Sequence, residues 1–265
     1  MLSVVIISYC RQKDVIECIE SIKKIVTIDY EVIVVCNDGH VYDPMEHVWF
    51  VLPSQNLGVA GGRNFGASKA KGEWLFFIDD DAVISSFNIQ LNLLPANIGI
   101  VSVISRDYYT NEIRDHENPR INGTYSSKYV GVGHLIRKEV FEICKGYSVV
   151  SNYGMEEYNL QYKAYNKGWL IGNSPIVVLH KKSNKGRLHE LELKDRLAIT
   201  KIKLVEGVVP IEVYWLHLFF WSLKILFFHR RSILGEVRII PKKKIHIDRC
   251  NFYYAVLKTR ANVFY

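Results

Sequence analysis

The chain has 265 residues, 49% of them hydrophobic and 23% charged, a balance that excludes a disordered chain and suits one large domain or one domain with an appendage. Its 34 Lys and Arg against 27 Asp and Glu leave a net charge of +7, which points to a polyanionic or membrane-surface partner. Five cysteines, at positions 10, 18, 36, 144 and 250, form no Cys-x-x-Cys pair, which argues against a disulfide framework or a zinc ribbon and for a reducing compartment.

The opening residues have neither a basic start nor a small-residue cleavage site, so residues 3–7 read as a strand and not as a secretion signal. Val15, Ile16, Ile19, Ile22 and Val26 then recur at helical spacing. A second apolar run, 31–36, stops at the turn Asn37-Asp38-Gly39, and a third covers 48–52. Residues 58–71 are rich in Gly and Ala, with helix formers after Asn64. Strands are predicted at 74–78, ending on Asp79-Asp80-Asp81, and at 99–104. Residues 106–128 read as a long polar loop, 129–137 as apolar, 154–168 as an amphipathic helix and 176–180 as a strand. No Gly-x-Gly-x-x-Gly and no Gly-Lys-Ser/Thr loop is present, which removes the commonest dinucleotide and ATP signatures.

Uniformly apolar strands alternating with helices mark a mostly parallel central sheet covered on both faces, an α/β fold. Ligands of such sheets bind beyond the carboxyl ends of the strands. Three polar clusters fall there: Ser8-Tyr9-Cys10-Arg11, Asn37-Asp38-Gly39 and Asp79-Asp80-Asp81. Strand ends need polar turns in any case, so one cluster alone carries little. The acidic triplet is either a solvated turn or a hard-oxygen cation site, because like charges in a row repel unless water or a metal relieves them.

The stretch Asn56-Leu57-Gly58-Val59-Ala60-Gly61-Gly62-Arg63-Asn64-Phe65-Gly66, followed by Lys71-Gly72 and the acidic triplet, resembles the N-x-G-x-x-x-x-R-N-x-G … K-G-x … D-x-D pattern of family 2 glycosyltransferases with the GT-A fold. The opening SVVIISYCRQ and the strand EVIVVCNDG match in order and spacing, so the resemblance covers roughly the first 85 residues. It is similar to bacterial surface-polysaccharide members of the rhamnosyltransferase-like type. The resemblance implies a nucleotide-diphospho-sugar donor (UDP-, dTDP- or GDP-linked) and a divalent cation, Mn²⁺ or Mg²⁺, that stabilises the leaving diphosphate. It places donor contacts at Ser8, Tyr9, Arg11, Asn37, Asp38, Asn56, Gly58, Arg63, Asn64, Asp79 and Asp80. Asp81 is the implied metal ligand, with Asp79 on the ribose or sugar side and close enough to share the cation. Cys36 stands where the family carries its first base-contacting Asp, which leaves Asn37 or Asp38 for that contact and leaves the base open.

The second half extends the resemblance. Residues 131–141 are similar to the family's small-residue strand and following helix. Gly154-Met155-Glu156-Glu157-Tyr158-Asn159-Leu160 is similar to its E-D-x-D-L motif, with Asn159 in place of the second acid. An inverting transferase needs a carboxylate to deprotonate the acceptor hydroxyl. The alignment gives Glu157, with Glu156 as its neighbour and runner-up; an acidic helix start favoured by the macrodipole explains the pair equally well taken alone. His180 is either a third metal ligand or a polar strand end. Lys181, Lys182, Lys185 and Arg187 are read as facing the diphosphate or a membrane.

Residues 213–228 are apolar apart from His217, Ser222 and Lys224, and basic clusters at 229–231 and 242–244 flank them. The run is too short and interrupted to span a bilayer and reads as a helix lying in an anionic membrane interface, or as a buried core or dimer helix. The expected organisation is a GT-A catalytic domain over 1–200, with a donor half (1–105) and an acceptor half (106–200). A basic, apolar, helical appendage follows over 201–265. The expected activity is inverting, metal-dependent transfer of a hexosyl or deoxyhexosyl group to a saccharide or lipid-linked saccharide acceptor, at the cytoplasmic face of the cell membrane, with no nucleic-acid partner. A sugar-1-phosphate nucleotidyltransferase and a non-catalytic nucleotide-sugar-binding scaffold are the rival readings.

Overall fold

The computed structural model describes residues 1–113, 121–122, 125–126, 128–148, 156–181 and 219. Strand β1 (Leu2–Ser8) lies between β2 (Tyr30–Cys36) and β4 (Trp74–Asp79), and β2 is flanked by β3 (Val48–Val51). All three pairings are parallel, and Ile7 stands opposite both Val35 and Asp79. This register brings Ser8, Asn37 and Asp79 out at one edge of the sheet.

Beyond β4 the sheet becomes mixed. Strand β9 (Gly133–Arg137) runs antiparallel between β4 and β6 (Ile98–Asp107), and β6 pairs in parallel with β10 (Leu170–His180). A short strand, β5 (Ala82–Ser86), pairs antiparallel with β10, setting His180 opposite Ala82. Strand β5 is not foreshadowed in the sequence: it begins one residue after the acidic turn, and its partner is nearly a hundred residues away. Strand β6 runs three residues past the predicted end, and β7 (Ile121–Asn122) pairs with β8 (Tyr125–Ser126) inside the predicted polar loop. Strand β10 begins six residues before the predicted start. A register shift between Asn173 and Val177 lets it pass Pro175, which cannot donate to a ladder.

Helix α1 (Gln12–Ile25) covers one face through Val15, Cys18, Ile19 and Ile22. On the other face lie α2 (Gly58–Lys69), α3 (Lys138–Ile143) and α4 (Glu156–Asn166). Helix α2 starts six residues earlier than helix propensity suggests. A glycine in a helix costs about 1 kcal/mol relative to alanine, but here close packing decides. A Cβ on Gly66 would stand 2.4 Å from Val5 Cγ1, so the helix sits flush on β1 only because the side chain is missing. Residues 213–228 lie outside the described residues except Phe219, which is exposed. Among the described residues no helix is long and apolar enough to cross a membrane.

Candidate active site

The acidic triplet sits in the turn between β4 and β5. Because β5 pairs with the end of β10, the turn brings Asp81 to His180: Nε2 of the imidazole is 3.3 Å from Asp81 Oδ1. One ligand atom from each of Asp79, Asp81 and His180 lies within 4.8 Å of the others. Two carboxylates and an imidazole suit Mn²⁺ and, with fewer nitrogen ligands, Mg²⁺, so the donor set fits a divalent cation. Arg11, just before α1, donates from Nη1 to Asp81 Oδ2 at 2.9 Å and approaches Asp80 at 3.9 Å.

The charges of this edge differ residue by residue. Burial and the neighbouring carboxylates Asp81 and Asp79 push Asp80 up to about 7, against the pull of the Tyr9 amide and Arg11. Burial also raises Asp79, opposed by Arg63. Asp81 moves the other way, because His180 and Arg11 outweigh the effect of its burial. Within the acidic triplet, the carboxylate lowered towards the charged form is thus the implied metal ligand.

The neighbouring residues build the loops around this edge. Ser8 shares a 2.9 Å hydrogen bond with the Tyr42 hydroxyl, and Tyr42 stacks on Phe50 at 4.6 Å. Tyr9 is 54% exposed, and its amide donates to Asp80 Oδ2. The Asp38 carboxylate accepts from the amides of Cys10 (2.7 Å) and His40 (3.1 Å) and from the Gln12 side chain (3.2 Å). Those bonds hold Cys10 in the left-handed region, at φ +57°, a conformation that costs a non-glycine residue about 1–2 kcal/mol. Asn37 ties the end of β2 to the start of α2, accepting from Leu57 N and donating to Gly58 O. Asn56 accepts from Gly58 N, and Gly58, at φ +66°, turns the chain into the helix. The Cys36 side chain is buried in the core and its thiol is pushed up to about 11, chiefly by burial, so Asp38 supplies the carboxylate at this strand end.

Arg63 is 3% exposed. Its guanidinium donates to Glu156 Oε1 (2.6 Å), Asp79 Oδ1 (2.8 Å) and the Gly131 carbonyl (2.8 Å) and lies 5.6 Å from the centre of the Tyr147 ring. It therefore joins the acidic turn to α4 from beneath. Asn64, next to it, exchanges two hydrogen bonds with the Tyr147 backbone, at 2.8 and 2.9 Å, and so fixes the segment under which Arg63 lies. The bridging role was hidden in the sequence, but a signal existed. Ala60, Arg63 and Ala67 fall on one helical face, and an arginine among alanines on a core-facing stripe must be buried and paired.

Glu156 and Glu157 open the described part of α4 and behave differently. Glu156 is 4% exposed and holds Arg63. Glu157 is half-buried, yet its Oε2 is enclosed and has no hydrogen-bond partner among the described residues. Burial first and the charge of Glu156 second push the Glu157 carboxyl up to about 8, with Arg63 opposing. A carboxylate so raised is a stronger base than an exposed one. Below this pair lies a buried aromatic cluster. There His134 Nε2 meets the Tyr147 hydroxyl, Nδ1 is 3.2 Å from Val130 O, and burial together with Arg63 keeps the imidazole neutral. Lys181 turns away from the edge: its ammonium pairs with Asp14 and Glu17 on α1, not with open solvent.

The model of glycosyl transferase family 2 matches residues 3–152, more than half of the chain. The chain belongs to that family. This family 2 glycosyltransferase is similar to an uncharacterized glycosyltransferase of Haemophilus influenzae, 36% identical over 182 residues, which cover 62% of this chain and 61% of that protein. Among solved structures it is similar to S. aureus TarS 1-349 in complex with UDP-GlcNAc (TM-score 0.56, 14% identity, 99% of this chain and 81% of that chain). It is also similar to the mannosyltransferase PcManGT from Pyrobaculum calidifontis in complex with GDP-Man and Mn²⁺ (TM-score 0.54, 16% identity, 78% of this chain and 63% of that chain). At these identities the structural likeness speaks for the fold, which is GT-A as the motifs implied.

Proposed function

We propose that this glycosyltransferase moves a sugar, with inversion, from a nucleotide-diphospho-sugar to a hydroxyl of a saccharide acceptor. The observation that carries the reading is the convergence of Asp79, Asp81 and His180 at one edge of the sheet, joined through Arg63 to the start of α4. Asp79, Asp81 and His180 would hold a divalent cation, Mn²⁺ or Mg²⁺, whose charge offsets that developing on the departing nucleoside diphosphate. Glu157 takes the proton from the acceptor hydroxyl as its oxygen bonds to the anomeric carbon. The bond from that carbon to the diphosphate breaks, and its electron pair leaves with the phosphate. Glu156, held on Arg63, keeps the start of α4 in place and keeps its neighbour basic. Ser8, Tyr9, Arg11, Asn37, Asp38, Asn56 and Gly58 shape the loops that receive the nucleotide.

The TarS and PcManGT structures contain UDP-GlcNAc and GDP-Man, so both uracil and guanine donors are compatible with this fold. The proposal extends to a lipid-linked acceptor in surface polysaccharide synthesis. The basic, apolar segment 213–228 would hold the enzyme on the cytoplasmic side of an anionic membrane, or join two copies. A melting-temperature screen against UDP-, dTDP- and GDP-sugars with Mn²⁺ tests the donor class, followed by a transfer assay on the donor that shifts it. Full transfer in EDTA, or no shift with any donor, would sink the reading.

A further inference from the structure

We propose that Gly131 is a positioning residue for the base: the space left by its missing side chain is the seat of the Glu157 carboxylate. The inference rests on the reading of Glu157 as the base. A Cβ on Gly131 would stand 2.4 Å from Glu157 Oε1, 3.3 Å from Cδ and 3.6 Å from Cγ. Real Cβ contacts essentially never fall under 3.0 Å, so one of the two sides has to move.

The geometry says which side moves. Residues 131–132 form a turn closed by the bridge between Val130 and Gly133. Both carbonyls of the turn are held. That of Gly131 accepts from Arg63 at 2.8 Å, and that of Val132 accepts from the Asp79 amide at 3.1 Å. Arg63 is itself fixed by Asp79 and Glu156. The Glu157 backbone is tied from the other side, its carbonyl accepting from the Tyr129 hydroxyl at 3.0 Å. The freest group in this contact is the end of the Glu157 side chain, whose Oε2 makes no hydrogen bond among the described residues. The Gly131 backbone does not demand glycine, since its φ lies outside the left-handed region. An alanine there leaves the turn standing and expels the carboxylate.

Such a seat explains how a buried carboxylate whose Oε2 accepts no hydrogen bond among the described residues keeps one position with little beside its own amide to lower its basicity. Shape adds to the hold of its own amide. The seat also joins the two sides of the reaction, because the same guanidinium grips the floor of the seat and Asp79 of the acidic turn.

The test is a double-mutant cycle between Gly131→Ala and Glu157→Asp. Misplacing a reacting group by about 1 Å costs on the order of 10²-fold in rate, so Gly131→Ala should lower kcat about 100-fold and leave the donor KM nearly unchanged. Aspartate is one methylene shorter and withdraws from the seat. In the Glu157→Asp background the same alanine should therefore cost less than about threefold. Equal losses in both backgrounds, or no loss in the first, would overturn the proposal. If Gly131→Ala alone fails to fold, the double variant should fold and melt near the Glu157→Asp protein; failure of both places the clash elsewhere and also overturns it. Glu157→Gln is assayed alongside. Undiminished transfer in that variant removes the base reading, whereas the seat would still show in the melting temperatures of the cycle.

Discussion

The two faces of the sheet meet the reaction edge in contrasting states. On the α1 face every acidic group of the edge has a partner: Asp81 has Arg11 and His180, Asp80 has the Tyr9 amide, and Asp38 has three donors. On the α4 face Glu156 accepts from the buried Arg63 guanidinium, and Glu157 is left with an oxygen that accepts nothing among the described residues. Asp79 belongs to both faces through Arg63 and the cation cluster. The contrast separates two uses of carboxylates. On the proposed function, the paired set serves binding, and Glu157, whose Oε2 has no donor among the described residues, is the one left to act as a base.

Removing the shared cluster should break the contrast most completely. Asp81→Ala should abolish transfer while the protein still melts cooperatively, and EDTA should silence the wild type until Mn²⁺ or Mg²⁺ is restored. Glu157→Gln comes next. General-base catalysis contributes about 10²–10⁴-fold, so kcat should fall on that scale while calorimetry shows unchanged donor binding. Recovery of the large loss in Glu156→Gln instead would reverse the roles of the two neighbours.

Arg63→Met leaves two carboxylates without their buried counter-charge. Breaking a buried pair in this way costs about 3–5 kcal/mol, which urea unfolding should register. Substitutions at exposed Tyr9 should not register at all.

The pH dependence sharpens the comparison further. As the proposed base, Glu157 would work only when deprotonated, and its carboxyl is raised to about 8. The rate at low substrate should therefore climb with pH and level off above about 8, and the climb should vanish in Glu157→Gln. Stability runs the opposite way. The folded state retains a proton that an unfolded glutamate releases near its ordinary value, so wild-type stability is lost as pH rises through the raised value. The melting temperature of Glu157→Gln should exceed that of the wild type at pH 8.5 by more than at pH 5.

The α1 face was the more legible in the sequence. Strands β1, β2, β3 and β4 declare themselves as apolar runs, and β1, β2 and β4 end in the polar residues that form the edge. Asp79, Asp81 and His180 were singled out by motif, and the pairing of β5 with β10 explains why they converge. The α4 face was not legible in this way, because its chemistry is made by long-range partners. Arg63 finds Glu156 across 93 residues, and Asn64 finds Tyr147 across 83. The alanine stripe around Arg63 announces that it is paired, but nothing local names the partner of either residue. Glu156 and Glu157 look alike in sequence, and only packing distinguishes the paired acid from the unpaired one. Lys181 likewise, read as facing the diphosphate or a membrane, pairs instead with Asp14 and Glu17 of α1.

The placement of His180 opposite Ala82 also bears on how the chain folds. Side chains alternate along a strand, so a slip of one residue between β5 and β10 would turn the imidazole to the other face of the sheet. Closing this pair joins segments about a hundred residues apart and belongs among the slow, entropically costly contacts of folding. A cation bound by all three ligands would stabilise only chains that had closed it in register, by mass action on the native state. The cluster would thus proofread the topology: refolding with Mn²⁺ present should raise the yield of native protein, and Ala at His180 should remove that gain.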